Sequence, residues 1–284
     1  MENRIKPFEE LTLKDDYMFK RVMSNKAICK KTLELILNIK IKDIKYPEEE
    51  KTLKNSYISK GVRLDVYVED DKNTVYDIEM QVRSLPEDEF AKRLRYYQSA
   101  IDADTLKSGM LYTELKNSFI IFICPFKVFD GKRHLYTFKH FCQENKKLKL
   151  KDGATKVILS TKGKLDDVTP EVKAFLEYIE ASSLSGDDFV KELDNTVKTI
   201  KEKESERVNY NMYNMKILEE KASAFNAGKE EGKKEGEKEG EIKGESKLKK
   251  LLSKLLSDGK KFDLQELLSN DAKIKELYAN YGIV

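Results

Sequence analysis

Four side chains suited to metal and phosphate chemistry, Asp65, Asp77, Glu79 and Gln81, fall in two stretches that alternate between apolar and polar residues. The stretches are Val62 to Val68 (VRLDVYV) and Thr74 to Val82 (TVYDIEMQV); the EDDKN between them has turn composition, so the pair predicts a β-hairpin. Side chains alternate with period two along a strand, which places Arg63, Asp65 and Tyr67 on one face of the first strand and Val62, Leu64, Val66 and Val68 on the other. On the second strand Val75, Asp77, Glu79 and Gln81 oppose Thr74, Tyr76, Ile78, Met80 and Val82. If the apolar faces align, Asp65 sits opposite Asp77 or Glu79 and on the same side as both. Carboxylates that close repel one another unless a proton or a cation intervenes. Mg²⁺ suits the task, because it takes a few carboxylate oxygens, keeps water and leaves positions for phosphate. Asp65 with Glu79 is the pair that fits best, and Gln81 on the same face is placed to orient an attacking water or a scissile phosphate. The same alternation also describes the wet side of a half-exposed hairpin.

The elements around this hairpin follow from periodicity. After Asp16, the run to Asn38 repeats Phe19, Val22, Met23, Ile28, Leu33, Ile36 and Leu37 at helical intervals, predicting one or two amphipathic helices. Glu87 to Leu106 spaces Phe90, Leu94, Tyr97 and Ile101 as one helix face, with Lys92, Arg93 and Arg95 on the polar side. Phe119 to Phe126 (FIIFICPF) reads as a strand buried on both faces and so central in a sheet. Weaker strand signals follow at His134 to Phe141 and Thr155 to Ser160, and Pro170 opens a further helix. The order predicts an α/β fold: a core of αβββαβ type, a mixed sheet flanked by helices, with a charged helical extension at the C-terminal end.

Composition excludes several function classes. Charged residues make up 37% of the 284, yet 54 Lys and Arg against 51 Asp and Glu leave only +3, too balanced for nucleic-acid binding through bulk charge. Any DNA contact must come from a local patch. Cys29, Cys124 and Cys142 are odd in number with no CxxC pair, which supports neither a disulfide framework nor a zinc knuckle and predicts a reducing, cytoplasmic setting. No signal-peptide core and no apolar run of membrane-spanning length occurs, so no membrane partner is expected. There is no GxGxxG, Walker loop, GxSxG or HExxH, hence no nucleotide cofactor. His134 and His140 have no carboxylate at ligand spacing in the sequence and read as structural or surface residues.

Beyond about residue 185 the chain turns to charged, helix-favouring sequence. The expected divisions are a core over 1–184, a helical connector over 185–227, a Gly-Lys-Glu segment over 228–247 and a terminal helical element over 248–284. In the third, Gly228, Gly232, Gly236, Gly240 and Gly244 recur at every fourth position. That period forms a slanting small-residue stripe on an α-helix. Each glycine costs about 1 kcal/mol of helicity relative to alanine, more than Glu–Lys pairs return at a few tenths each. Two outcomes are open: a charged linker, or helices packed closely along the stripe. Leu248 to Leu256 and Phe262 to Leu268 form a short amphipathic pair suited to docking or assembly, and a homodimer joined through these C-terminal helices is the expectation.

The segment VRLDVYVEDDKNTVYDIEMQV, with Asp65 followed by Glu79, Met80 and Gln81, resembles the D…ExQ variant of the PD-(D/E)xK nuclease superfamily. More narrowly, the chain resembles the bacterial recombination-promoting nuclease and putative transposase family. DDYMFKRVM at Asp15 to Met23, RLRYYQSAI with the later SGMLYTELKNSFIIFIC, and the closing EG and KG repeats match that family in order, over roughly residues 10 to 250. The resemblance implies a restriction-endonuclease-like core and Mg²⁺-dependent hydrolysis of DNA phosphodiesters, with Mn²⁺ as substitute, in recombination, element mobility or defence against foreign DNA. By position it implies Asp65 and Glu79 as metal ligands, the Met80 carbonyl as a further ligand, and Gln81 where the superfamily usually has lysine. Leu64 stands where a literal Pro-Asp motif would have proline. Asp16 and Lys20, one turn apart, resemble the family's DxxFK pattern, with a role in supporting the site or contacting phosphate, or simply as an intrahelical ion pair. Arg93 is placed to steady a phosphate, and Tyr97, on the apolar stripe, to bring its hydroxyl to the rim. The other reading of the same residues is a nuclease relic that binds DNA or protein without cutting.

Overall fold

A computed structural model describes residues 5–45, 48–53, 61–184, 186–259 and 264–283. Two helices, α1 (Asp16–Met23) and α2 (Lys26–Leu37), precede three strands, β1 (Glu48–Leu53), β2 (Val62–Glu69) and β3 (Val75–Met80). Helix α3 (Glu87–Thr105) leads to β4 (Ser118–Cys124), β5 (Leu135–Phe138) and β6 (Ala154–Ser160). The helices α4 (Pro170–Ala181), α5 (Asp188–Lys201), α6 (Glu204–Ser257), α7 (Leu264–Ser269) and α8 (Asp271–Asn280) complete the chain. Phe262, the start of the last expected helix, lies outside the described residues, as does Ser185, the first residue of the expected connector.

The six strands form one mixed sheet in the order β1-β2-β3-β4-β6-β5. β1 with β2 and β2 with β3 pair antiparallel, β3 with β4 and β4 with β6 pair parallel, and β5 returns antiparallel to β6. A parallel step needs a crossover, and α3 supplies it between β3 and β4. FIIFIC is apolar at successive positions because β4 is central and covered on both faces. On one face Val66, Val68, Ile78, Met80, Ile121 and Ile123 pack with α1, α2, α4 and α5. On the other, Leu64, Tyr67, Ile120, Phe122 and Ile158 pack with Phe90, Leu94, Tyr97 and Ile101 of α3. The αβββαβ core of the sequence reading is present.

One strand has no counterpart among the elements placed from the sequence, and two expectations need correction. β1 (EEEKTL) has no apolar alternation and forms on the sheet edge, where backbone pairing to β2 suffices. The strict face assignment of β2 fails: Val62 and Leu64 join the α3 side, whereas Val66 and Val68 join the opposite side. The chain rotates about its own axis between Leu64 and Val66, where backbone-to-side-chain bonds at Asp65 take over from the β2–β3 ladder, whose last paired residues are Val66 and Ile78. The packed unit also runs beyond residue 184, because Val190, Leu193, Val197 and Ile200 of α5 and Tyr210 of α6 are buried in the same core. The chain divides into two compact units, Met1–Tyr213 and Asn214–Val284.

In the second unit, α6 carries the glycine repeat as continuous helix rather than linker. Ion pairs one turn apart, such as Glu239 with Lys243 at 2.9 Å and Glu245 with Lys249 at 3.3 Å, line it. Leu251, Leu255 and Leu267 form a small separate core with Ile274, Leu277 and Tyr281 packed against it. A Cβ added at any of the five glycines would meet no atom within 4 Å beyond its own stretch of helix backbone.

Candidate active site

β2 and β3 bring Asp65 and Glu79 together where the hairpin opens. The antiparallel register pairs Val66 with Ile78 and Tyr67 with Asp77, which one step further sets Asp65 against Glu79. Instead of a regular ladder at that step, the two side chains cross. Glu79 Oε1 accepts the Asp65 N–H at 2.7 Å, and Asp65 Oδ2 accepts the Met80 N–H at 3.1 Å. One oxygen of each carboxylate is thereby fixed by backbone. The other faces a cation: Asp65 Oδ1 lies 3.4 Å from Lys20 Nζ, and Glu79 Oε2 lies 3.7 Å from Arg93 Nη2.

Helix α3 covers the strand face that the alternation pattern left open to water. Glu79 is 3% exposed and Asp77 0%. No N–H or hydroxyl donates to either carboxylate oxygen of Asp77; the neighbouring acid is Glu79, and a hydrogen bond between the two requires one of them to hold a proton. Burial pushes the Asp65 carboxyl up to about 6, with Asp16 adding to the rise and Lys20 and the Met80 N–H opposing it. Burial and the charge of Asp65 push Asp77 and Glu79 well above the usual carboxylate range, and Asp77 adds to the rise at Glu79. Three carboxyls that cannot all be ionised without compensation need a proton or a cation.

The flanking side chains arrive on helices. Arg93 Nη1 donates to Gln81 Oε1 at 2.6 Å, and Nη2 donates to the Tyr97 hydroxyl at 2.6 Å. The Gln81 amide nitrogen donates to the Arg83 carbonyl. Gln81, expected to orient water or phosphate, therefore has both ends of its amide engaged and braces Arg93. The Tyr97 ring packs edge-on against Phe122 in the core, and its hydroxyl ends at the guanidinium. Lys20, from α1, donates to Asp16 Oδ2 at 2.8 Å. The same Asp16 oxygen accepts the hydroxyl of Tyr213 at the start of α6. Nothing in the sequence announces Tyr213, since helical spacing marks only neighbours one turn apart.

The donor set fits a hard divalent cation. Asp65 Oδ1 and Glu79 Oε2 are carboxylate oxygens not committed to backbone, and buried Asp77 beside them is a third acid whose ionised form burial and Asp65 disfavour unless a cation compensates. The Met80 side chain is buried in the core, so only its carbonyl is available. Among the described residues no group of three or more His, Cys, Asp or Glu side chains is arranged to hold a metal. Two carboxylates and a carbonyl suit an ion that keeps several waters. The histidines stand apart: His134 Nδ1 contacts the Ser160 carbonyl, and His140, expected to lack a carboxylate, pairs with Asp152 at 2.5 Å.

A mixed sheet with opposed carboxylates at the open end of its central hairpin, flanked by helices that deliver cations, is a restriction-endonuclease-like core. The sequence profile described as PD-(D/E)XK nuclease family transposase matches residues 13–239, and the chain belongs to that family. Searches of curated proteins and of solved structures find no match. No helix among the described residues is long and apolar enough to cross a membrane.

Proposed function

We propose that the protein is a Mg²⁺-dependent endonuclease that hydrolyses phosphodiester bonds in DNA. The observation that carries this reading is the crossed pair of Asp65 and Glu79, each with one oxygen anchored by backbone and the other turned to positive charge, within a chain of a nuclease family. Asp65, Glu79 and the Met80 carbonyl would hold the ion, with Mn²⁺ as a substitute. When bound, the ion supplies Lewis-acid stabilisation of phosphate charge and lowers the pKa of water. Arg93, braced by Gln81 and Tyr97, presents its guanidinium beside Glu79, where a phosphate oxygen can take it up. Phe122 and Tyr97 back the site with apolar surface and so limit water on that side.

The family description, a transposase of nuclease type, supports work on DNA, and recombination, mobility or defence in the cytoplasm is the role proposed for it. We propose a homodimer through the glycine stripe of α6, where the space beside each glycine is open within the chain and leaves room for a second copy. Two joined cores would carry the two sites that breaking both strands requires.

The experiment is incubation of purified protein with supercoiled plasmid and Mg²⁺ or Mn²⁺. Nicking is expected, with loss in Asp65→Ala and in Glu79→Ala; nicking that survives both places the site elsewhere. The engaged amide of Gln81 favours one other reading, a DNA- or protein-binding module that does not cut. DNA binding without Mn²⁺ binding in calorimetry would select it.

A further inference from the structure

Lys20 is 5% exposed, yet its partner on α1, Asp16, is half-open to solvent. An exposed pair one turn apart contributes only a few tenths of a kcal/mol, too little to account for taking an ammonium out of water. What the burial achieves is contact with the strand: Lys20 Nζ reaches Asp65 Oδ1, the oxygen that the Met80 N–H leaves over. Asp16 stands behind it, its Oδ2 accepting both Lys20 and the Tyr213 hydroxyl, and the Tyr213 ring lies 5.7 Å from the ammonium. The ammonium thus occupies the side of Asp65 that a divalent cation would approach, with a second carboxylate ready to receive it.

We propose that Lys20 is a positioning residue for Asp65: it aims Oδ1 into the site in the metal-free protein, yields that oxygen to a divalent cation, and then remains beside Asp16 as fixed positive charge. The inference rests on the metal-dependent nuclease reading. It has a consequence of opposite sign for binding and for rate. Removing the ammonium ends its competition for Asp65, so the cation binds more tightly. It also removes positive charge from a site where phosphate charge must be stabilised, so cleavage slows even when the metal is saturating.

The test is calorimetric titration of the full chain with MnCl₂, beside plasmid nicking at saturating Mn²⁺, for wild type, Lys20→Met and Lys20→Arg. Lys20→Met is expected to bind Mn²⁺ about tenfold more tightly and to nick at least about tenfold more slowly, while Lys20→Arg binds as wild type and recovers part of the rate. If Lys20→Met does not fold, Lys20→Gln, which keeps a hydrogen bond to Asp16 without the charge, takes its place. A purely structural lysine would lower both quantities or neither, and unchanged Mn²⁺ affinity or an unchanged saturated rate overturns the proposal. Tighter Mn²⁺ binding in the variant without nicking by wild type would refute the nuclease reading while leaving the competition at Asp65 standing. A wild type that binds no Mn²⁺ overturns both.

Discussion

Asp65 and Glu79 each accept a hydrogen bond from the opposite strand: the Asp65 N–H goes to Glu79 Oε1, and the N–H of Met80, next to Glu79, goes to Asp65 Oδ2. The hairpin is therefore closed at this end by the side chains that the chemistry needs. An amide can still accept the Asp65 N–H, whereas a methyl cannot. In urea unfolding with chelator present, Glu79→Gln should be more stable than Glu79→Ala by about 1–2 kcal/mol, with both inactive. Equal stabilities would mean that the bond does not hold the hairpin.

Asp77 costs the metal-free fold stability, because its carboxyl is fully buried, receives no N–H or hydroxyl donor, and is pushed up by burial and by Asp65 more than Glu79 and Arg93 oppose. A carboxyl whose folded pKa is raised keeps its proton in the fold while the unfolded chain loses it. The penalty is absent below the ordinary value of 3.8 and grows as pH rises above it. Asp77→Asn should be more stable than wild type by about 1 kcal/mol or more at neutral pH in chelator, and equal to it near pH 3. A variant less stable at neutral pH would contradict the assignment.

Glu206 has the opposite sign. Burial pushes its carboxyl up, but hydrogen bonds from Arg21 and the Tyr17 hydroxyl and the charge of Arg21 outweigh that and leave it below the usual range. Its contribution is present above the ordinary carboxylate pKa and lost as pH falls through the lowered folded value. Glu206→Gln should cost roughly 2 kcal/mol at pH 7 and almost nothing once the pH lies below that folded value. Thermal unfolding at the two pH values decides it, and an equal loss at both would show that packing, not charge, is at stake.

How much of this was legible in the sequence depended on range. β3, β4 and α3 were readable because their apolar residues repeat at the period of the element that buries them. Glu48–Leu53 was not, since an edge strand needs only backbone pairing and carries no apolar signature. Alternation located the acidic face, but Asp77 and Glu79 lie under α3 rather than in water, and only packing decides that. The helical spacing of Asp16 and Lys20 was visible; the reach of Lys20 to Asp65 and of Tyr213 to Asp16 was not, because these contacts join distant parts of the chain. Local propensity argued against helix through the glycines, and α6 runs through them nonetheless.

That helix gives a prediction of its own. Alanine at Gly228, Gly232, Gly236, Gly240 and Gly244 meets nothing within the chain and should raise helicity, by about 1 kcal/mol per site. If a second chain lies along the stripe, the added methyl groups hold the helices apart. Light scattering at tens of micromolar should then show a dimer for the full chain and a shift toward monomer in the five-alanine variant and in a chain ending near Asn226. A full chain that is monomeric, or a dimer indifferent to the alanines, contradicts the packing.

The central claim, that Asp65 and Glu79 hold the catalytic cation, is tested most directly by anomalous diffraction from crystals of the full chain grown with Mn²⁺. The account predicts an anomalous peak at ligand distance from Asp65 Oδ1 and Glu79 Oε2, with the Met80 carbonyl alongside, and its disappearance in Asp65→Asn. Mn²⁺ bound elsewhere, or no peak at these carboxylates at saturating Mn²⁺, would contradict it.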